Sequence, residues 1–417
     1  MQTLNWICTA LGILFALCYA HQYVYTLYAM IRRRKPLPGA PARRYGVLIA
    51  ARNEEGVIGQ LLESLHAQDY PADRLDIFVV ADNCTDATAQ VARENGATVF
   101  ERFDTSRVGK GYALDFLLRR IHEQQGLDAY DGYFVFDADN LLDEGFVREM
   151  NKCFSEKNPI VTSYRNSKNY GDNWISAGYS LWFLRDSGQL NAARMDLGAS
   201  CVVGGTGFLV SSALLLQNGG WKYFLLTEDT EFTIDMILRG VHIAYCDSAV
   251  LYDEQPTKFS QSWWQRLRWA KGYLKILRQD GGRMVRGLLG KTAFGCFDVA
   301  MAFMPAIVLS MAGFVLNAVQ LAFGLFAAHS GLHALVQYAL LPLAGTYLLM
   351  FVLGAVTTAK EWRRICAPAW KKLLYTLSFP VFMMSYFPIA AAALFARVEW
   401  KPIRHEVRKN LEQVRAA

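Results

Sequence analysis

Four long apolar runs bracket a segment whose hydrophobicity repeats on a much shorter scale. They are Leu4 to Ile31, Cys296 to Ala328, Ala334 to Thr358 and Leu373 to Ala396. Each exceeds the roughly 20 apolar residues a helix needs to cross a bilayer. Between Arg43 and Tyr252 short apolar strands alternate with amphipathic helices. Tyr45 to Ala51 reads as a buried strand, followed by a helix start at Asn53-Glu54-Glu55 and a helix over Val57 to His66. Leu75 to Val80, Ala97 to Phe100 and Tyr133 to Phe136 read as strands; Ala87 to Glu94 and Tyr112 to His122 as helices. Strands alternating with helices predict a doubly wound, mostly parallel sheet with ligands beyond the carboxyl ends of its strands. The predicted order is an anchor over 1–35, an α/β domain over 43–255 and amphipathic interface helices over 256–292. A membrane region over 293–400 and a basic tail over 401–417 complete it.

Composition and charge refine this plan. At 53% hydrophobic and 19% charged, the chain is too apolar for an ordinary soluble enzyme and too polar for an all-membrane transporter. Positive charge follows the first apolar run, as Arg32-Arg33-Arg34-Lys35, which fits a retained anchor with a cytoplasmic α/β domain after it. The loop Ala327 to Ala334 has no Lys or Arg and is predicted outside. Lys360 to Lys372, with Arg363, Arg364 and Lys371, is predicted inside. A simple crossing by the last run would leave Arg397, Lys401, Arg404, Arg408 and Lys409 outside, against that rule. Pro380 and Pro388 suggest instead a broken or re-entrant pair of half-helices. Asp298, at the start of the second run, is expected to cap or snorkel, with a polar path as the alternative. The scattered cysteines carry neither a disulfide framework nor a zinc spacing.

The candidate chemistry lies where the predicted strands end. Asp82-Asn83 follows the second strand and Asp137-Ala138-Asp139 the fourth, both on the ligand edge. In an extended segment Asp137 and Asp139 point the same way, and two carboxylates beside a crevice suit Mg2+ or Mn2+ bridging to a diphosphate. Lys110, opening the third helix, offers a cation near phosphate. Thr227-Glu228-Asp229 opens a helix-like run, with Glu228, Asp229 and Glu231 as competing bases for activating a hydroxyl. Within Lys258 to Leu289, Gln265 and Arg268 share a helix face with Trp269 adjacent. Trp and Arg there fit a membrane-interface helix or a platform for a sugar ring. A nucleic-acid role for this charge does not fit beside a bilayer.

With these segments in order, the stretch from about Val47 to Gly272 resembles the family 2 inverting glycosyltransferases of the GT-A fold. It is most similar to membrane-embedded synthases of hyaluronan, chitin, cellulose and poly-N-acetylglucosamine. The resemblance implies that Glu54 lies near the uridine, Asp82 bonds the uracil, and Lys110 and Asp137 serve the nucleotide. It implies that Asp139 is the metal ligand and that Gly205, Thr206 and Gly207 form an acceptor-side loop. Asp229 is then the catalytic base, with Glu228 beside it, and Gln265, Arg268 and Trp269 hold the diphosphate and the acceptor end. The Phe-x-Val-Thr-x-Lys gating segment of bacterial cellulose synthases is absent. The function so implied is polymerisation of a β-linked polysaccharide from UDP-glucose or UDP-N-acetylglucosamine, with passage of the product through the membrane helices. The alternative is a single transfer to a lipid acceptor. From another class, a scaffold whose transferase domain no longer catalyses fits poorly with Asp139, Asp229 and Arg268 all retained.

Overall fold

A 30-residue helix, α1 (Gln2–Ile31), precedes the first strand, β1 (Tyr45–Ala51). The computed structural model describes residues 2–33, 36–303, 305–327, 331–398 and 405–416. Arg34, Lys35, Lys401 and Arg404, and residues 328–330 of the predicted outer loop, lie outside the described residues. After β1 come α2 (Ile58–His66), β2 (Leu75–Asp82), α3 (Thr88–Glu94), β3 (Thr98–Arg102), α4 (Lys110–Gln125) and β4 (Gly132–Asp137). The strand–helix alternation expected from the hydrophobic pattern is therefore present. Its third helix begins two residues earlier than Tyr112, directly after Gly109, whose φ of 141° separates it from the preceding loop.

Side chains of β1 alternate between two cores, as a strand buried on both faces requires. Val47 and Ile49 join Leu61 and Leu65 of α2 on one face, while Leu48 joins Leu114, Leu117 and Ile121 of α4 on the other. The second half of the domain holds β5 (Leu141–Leu142), α5 (Phe146–Cys153), β6 (Ile160–Ser167) and α6 (Trp174–Arg185). A π-helical stretch (Asp186–Asn191) leads to α7 (Ala192–Asp196), β7 (Phe208–Ser211), α8 (Ser212–Asn218), α9 (Glu228–Leu238) and β8 (Ile243–Asp253). The eight strands form one sheet in the order β3-β2-β1-β4-β7-β6-β8-β5. β7 runs antiparallel to both β4 and β6, and β5 antiparallel to β8; the other pairings are parallel. Parallel pairing of β1, β2 and β4 brings their carboxyl ends, and hence Asp82 and Asp137, to one edge.

Beyond the sheet lie α10 (Phe259–Gly287), α11 (Ala293–Phe303), α12 (Pro305–Ala327), α13 (Leu332–Glu361), α14 (Ala369–Met384), α15 (Tyr386–Phe395) and α16 (Leu411–Arg415). The interface stretch is one long helix rather than several. Among the described residues, three helical stretches are long and apolar enough to cross a membrane: α1, α13 and the bent pair α14–α15. The bend lies at Ser385, between the two prolines that flagged it. There Arg266 of α10, 2% exposed, donates to the Phe382 carbonyl at 3.0 Å and to Ser385 Oγ at 2.9 Å. A buried guanidinium thus satisfies polar groups that a helix break would otherwise strand in an apolar setting.

Asp298 neither caps a helix nor lines a path. Its two oxygens accept from Arg194 Nε and Nη2, both at 2.8 Å, and from Tyr25 Oη at 3.1 Å, with His21 Nε2 at 3.2 Å. Arg194 and Asp298 side chains are 2% and 3% exposed. A charge that costs this much to bury needs its partners, and here they tie α1 and α11 to α7 of the α/β domain.

Candidate active site

One cavity of about 930 Å³ runs from the carboxyl edge of the sheet down between the apolar helices. Its polar half is lined by Glu54, Asp82, Lys110, Asp137, Asp139, Gly205, Thr206, Glu228, Asp229, Gln265, Arg268 and Trp269. Residues that are distant in sequence converge because Asp82 and Asp137 end strands, Lys110 and Glu228 open helices, and Gln265, Arg268 and Trp269 lie on the length of α10 that faces this edge. Gly207 is the exception among the expected residues. It lies behind the wall at φ 65°, its amide bonded to Val135 O at 2.9 Å, and an added Cβ would collide with Leu251. Gly207 is therefore a packing position, not a surface for an acceptor.

At the end of β2, Asp82 is held by Arg102 at 2.5 Å and by Asn83 Nδ2 at 3.0 Å, and burial pushes its carboxyl above the usual range despite the arginine. Lys110 Nζ reaches Asp137 at 2.5 Å and the Gly205 carbonyl at 2.7 Å. Asp137 to Asn140 is a turn, closed by Asn140 N to Asp137 O at 3.1 Å, so the segment is not extended as expected. Both carboxylates still line the cavity because the turn projects from the sheet edge. Asp139, 4% exposed, accepts the Glu254 amide on Oδ2 at 2.9 Å; among the described residues Oδ1 accepts no hydrogen bond. Burial works to raise Asp139, but the charges of His405, Lys168 and Arg165 and the Glu254 amide outweigh it, leaving an ionised carboxylate. That is the donor chemistry a hard divalent cation takes. Among the described residues no three His, Cys, Asp or Glu side chains close into a metal cage.

Deeper in the cavity, Asp229 stands in the first turn of α9 with Oδ1 accepting its neighbour's amide, Thr230 N, at 2.8 Å. Gly205, at φ 84°, faces it so closely that a Cβ there would sit 3.0 Å from Asp229 Oδ2. Burial raises Asp229 above the ordinary carboxylate range, and burial together with the Asp229 charge pushes Glu228 to about 7. Glu231 points away from the cavity, accepting Leu225 N at 3.0 Å and Gln279 Nε2 at 3.1 Å. Of the two arginines in the Gln265–Trp269 stretch of α10, Arg266 turns to the apolar helices and Arg268 to the cavity. Gln265 Oε1 and Arg268 Nε are buried without a hydrogen-bond partner among the described residues, as groups awaiting a polar ligand would be.

Residues 41–272 match the family described as glycosyltransferase like family 2, more than half of the 417-residue chain. The chain belongs to this family. Among relatives, it is 28% identical over 304 residues to the probable glycosyltransferase YdaM of Bacillus subtilis (strain 168), covering 66% of each chain. It is 28% identical over 232 residues to β-monoglucosyldiacylglycerol synthase of Synechocystis sp. (strain ATCC 27184 / PCC 6803 / Kazusa), covering 54% of this chain and 47% of that one. Against poly-β-1,6-N-acetyl-D-glucosamine synthase of Staphylococcus aureus (strain MSSA476) identity is 25% over 238 residues, covering 56% and 55%. The chain thus spans about half to two thirds of the length of these relatives. In fold it is similar to the mannosyltransferase PcManGT of Pyrobaculum calidifontis, solved with GDP-Man and Mn2+. That likeness has a TM-score of 0.60 at 18% identity and covers 94% of this chain and 99% of the other.

Sequence reasoning missed several residues of this glycosyltransferase. Asp253 and Glu254, at the end of β8, extend the acid wall; burial leads in pushing Asp253 to about 6, against Arg165 Nε at 2.5 Å. The strand-end logic that selected Asp137 and Asp139 would have found them too. His405 had no such signal. It comes from the stretch read as a basic tail, lines the cavity, and places Nδ1 2.9 and 3.0 Å from the two oxygens of Glu54. Glu54, which the family resemblance puts near the uridine, is thus held by a histidine. Burial carries Glu54 up to about 7 although His405 opposes it.

Proposed function

We propose that this membrane-associated glycosyltransferase moves a hexose from a UDP-sugar, with inversion, onto the hydroxyl of a lipid held in the lower half of the cavity. The observation that carries the lipid assignment is the lining of that half: Leu11, Phe15, Leu309, Phe314, Leu343 and Leu353, with many similar neighbours. A polysaccharide brings many hydroxyls that lose water and need partners, and Gln22, Asn317, Tyr338 and Thr346 are few against them. An alkyl chain needs none. Chain extension into a polysaccharide, the first expectation, is the second reading; the depth of the cavity along α1, from Tyr23 to Cys8, favours it.

In this reading Asp229 takes the acceptor proton as the bond to the anomeric carbon forms, and its raised pKa makes it a stronger base than an exposed aspartate. The Thr230 amide and the close Gly205 backbone fix its orientation. Glu228 shares its burial and resists a second negative charge. Lys110 and Arg268 face the diphosphate as charge builds on it, with Gln265 beside them. Asp82 takes the nucleobase, and Thr206 and Trp269 border the acceptor. Asp139 is the residue that would hold Mg2+ or Mn2+, which would supply further positive charge to the leaving group. One opposite-face attack converts an α-linked donor to a β-glycoside.

We place the catalytic domain on the cytoplasmic side of the cell membrane, beside Arg32 and Arg33. Because 405–416 returns to that domain, an even number of crossings must follow α10. We read α13 as one and α12, 23 residues long with a shorter apolar part over Met311–Phe326, as the other; α14–α15 then enters and leaves on one side, which keeps Arg397, Arg408 and Lys409 inside.

The test uses full-length protein in lipid nanodiscs containing diacylglycerol, with Mn2+ and radiolabelled UDP-glucose or UDP-N-acetylglucosamine. A single, organic-extractable glycolipid is expected. A high-molecular-weight, glycosidase-sensitive product refutes the lipid reading, and no UDP release with any sugar donor refutes transfer itself.

A further inference from the structure

After the last apolar helix, the segment 405–416 packs on the catalytic domain through two separate sets of contacts. At its far end Asn410 caps α16 by a reciprocal pair of bonds with Gln413. Val414 is fully buried against Leu141 and Tyr252, and Arg415 reaches Asp143 at 2.7 Å. These contacts lie outside the cavity lining. At its near end the amides of Glu406 and Val407 both donate to the Glu254 carboxylate, at 2.9–3.1 Å, and His405 meets Glu54. Glu254 in turn gives its own amide to Asp139 at 2.9 Å. A continuous series of bonds therefore runs from the segment into the two acids on the nucleotide side of the cavity.

Covering the sheet edge at β5 and β8 requires only the far contacts. The near contacts do something else: they insert one imidazole into a wall that otherwise gathers Glu54, Asp139 and Glu254. Like charges so close drive one another apart unless a cation or a hydrogen-bond donor holds them. We propose that 405–416 is a working part of the donor site, and that His405 is a positioning residue holding Glu54 in place for the nucleotide–metal half of the donor. The inference rests on the donor reading given above. His405 Nδ1–H fixes the Glu54 carboxylate, the two amides on Glu254 fix the strand end beside Asp139, and the far contacts hold the segment in register. Donor affinity then depends on Val414, which touches no ligand.

The experiment measures UDP binding in the presence of Mn2+ by calorimetry on full-length protein in nanodiscs, alongside steady-state kinetics. His405→Ala is expected to weaken UDP binding and raise the donor KM by about tenfold while kcat stays within about twofold, the loss of one charge-assisted hydrogen bond in the bound state. His405→Asn, which keeps a donor near the Nδ1 position, restores most of the affinity. Val414→Asp, and more weakly Arg415→Ala, reproduces the His405→Ala effect, and the double variant His405→Ala/Val414→Asp is no worse than either single one. Unchanged binding in His405→Ala overturns the proposal. So does tighter binding in either variant, which would make the segment an occluding strap. If the wild type prefers GDP to UDP, the nucleotide assignment fails instead, and the same ratios measured with GDP still decide the role of the segment.

Discussion

The Arg194–Asp298 pair offers the sharpest test of how the membrane helices are fastened to the catalytic domain. Asp298→Asn keeps the shape but removes the charge that faces Arg194, leaving a guanidinium 2% exposed with a weaker acceptor at 2.8 Å. Breaking one side of a buried pair costs about 3–5 kcal/mol, because the remaining charge stays desolvated. At about 2 °C per kcal/mol for a chain of this size, the thermal midpoint should fall by roughly 6–10 °C. Replacing both partners with apolar residues of similar volume, Arg194→Met with Asp298→Leu, should recover most of that loss, since no buried charge is stranded. Tyr25 and His21 then keep their ring contacts on α1. Unfolding is followed by tryptophan fluorescence in nanodiscs. A single variant within about 1 kcal/mol of wild type, the range of a surface pair, refutes the reasoning. A double variant as unstable as the single one refutes it too, since packing and not charge would then be the cause.

Asp229→Asn should abolish transfer and leave Mn2+-dependent UDP binding within about twofold of wild type, because the carboxamide keeps the volume but cannot take a proton; normal turnover rejects Asp229 as the base. Arg268→Ala should lower kcat by about 100-fold, the usual scale for losing one donor to developing charge, as read by UDP release at saturating donor. Glu228→Gln addresses pH. With its folded-state pKa raised to about 7, Glu228 favours the folded form fully below the ordinary carboxylate range and loses that contribution as pH rises to about 7. The glutamine variant should therefore gain on wild type by on the order of 2 kcal/mol between pH 5 and pH 8, read from paired thermal midpoints; a gap that does not change with pH rejects the assignment.

Much of the donor half was legible because one rule located it: polar residues that follow buried strands lie on the ligand edge. Asp82 and Asp137 obey it directly, and the apolar run before each made the strand plain. The antiparallel insertion of β7 was not legible, since Phe208–Ser211 is too short to reveal its direction. The turn at Asp137–Asn140 was hidden because its closure depends on a hydrogen bond, not on a hydrophobic period. Asp298 was misread because one apolar helix says nothing about which charge lies on its neighbour. His405 was invisible for the same reason on a larger scale: its partner Glu54 is separated from it by the whole membrane region. The lining of the lower cavity, which turned the reading from a polymer to a lipid, belongs to several helices together and to no single segment.

The cavity draws its surfaces from both extremes of the polypeptide. Cys8 to Tyr23 stand on one side, and Phe379 to Ala390 with His405 on the other, although the family match ends at residue 272. A polypeptide that reaches only to residue 272 therefore lacks the side of the cavity that the later helices and His405 supply. In the reading proposed above, the acceptor half of the site comes into being only once those helices pack against the α/β domain, so assembly of the site depends on their insertion.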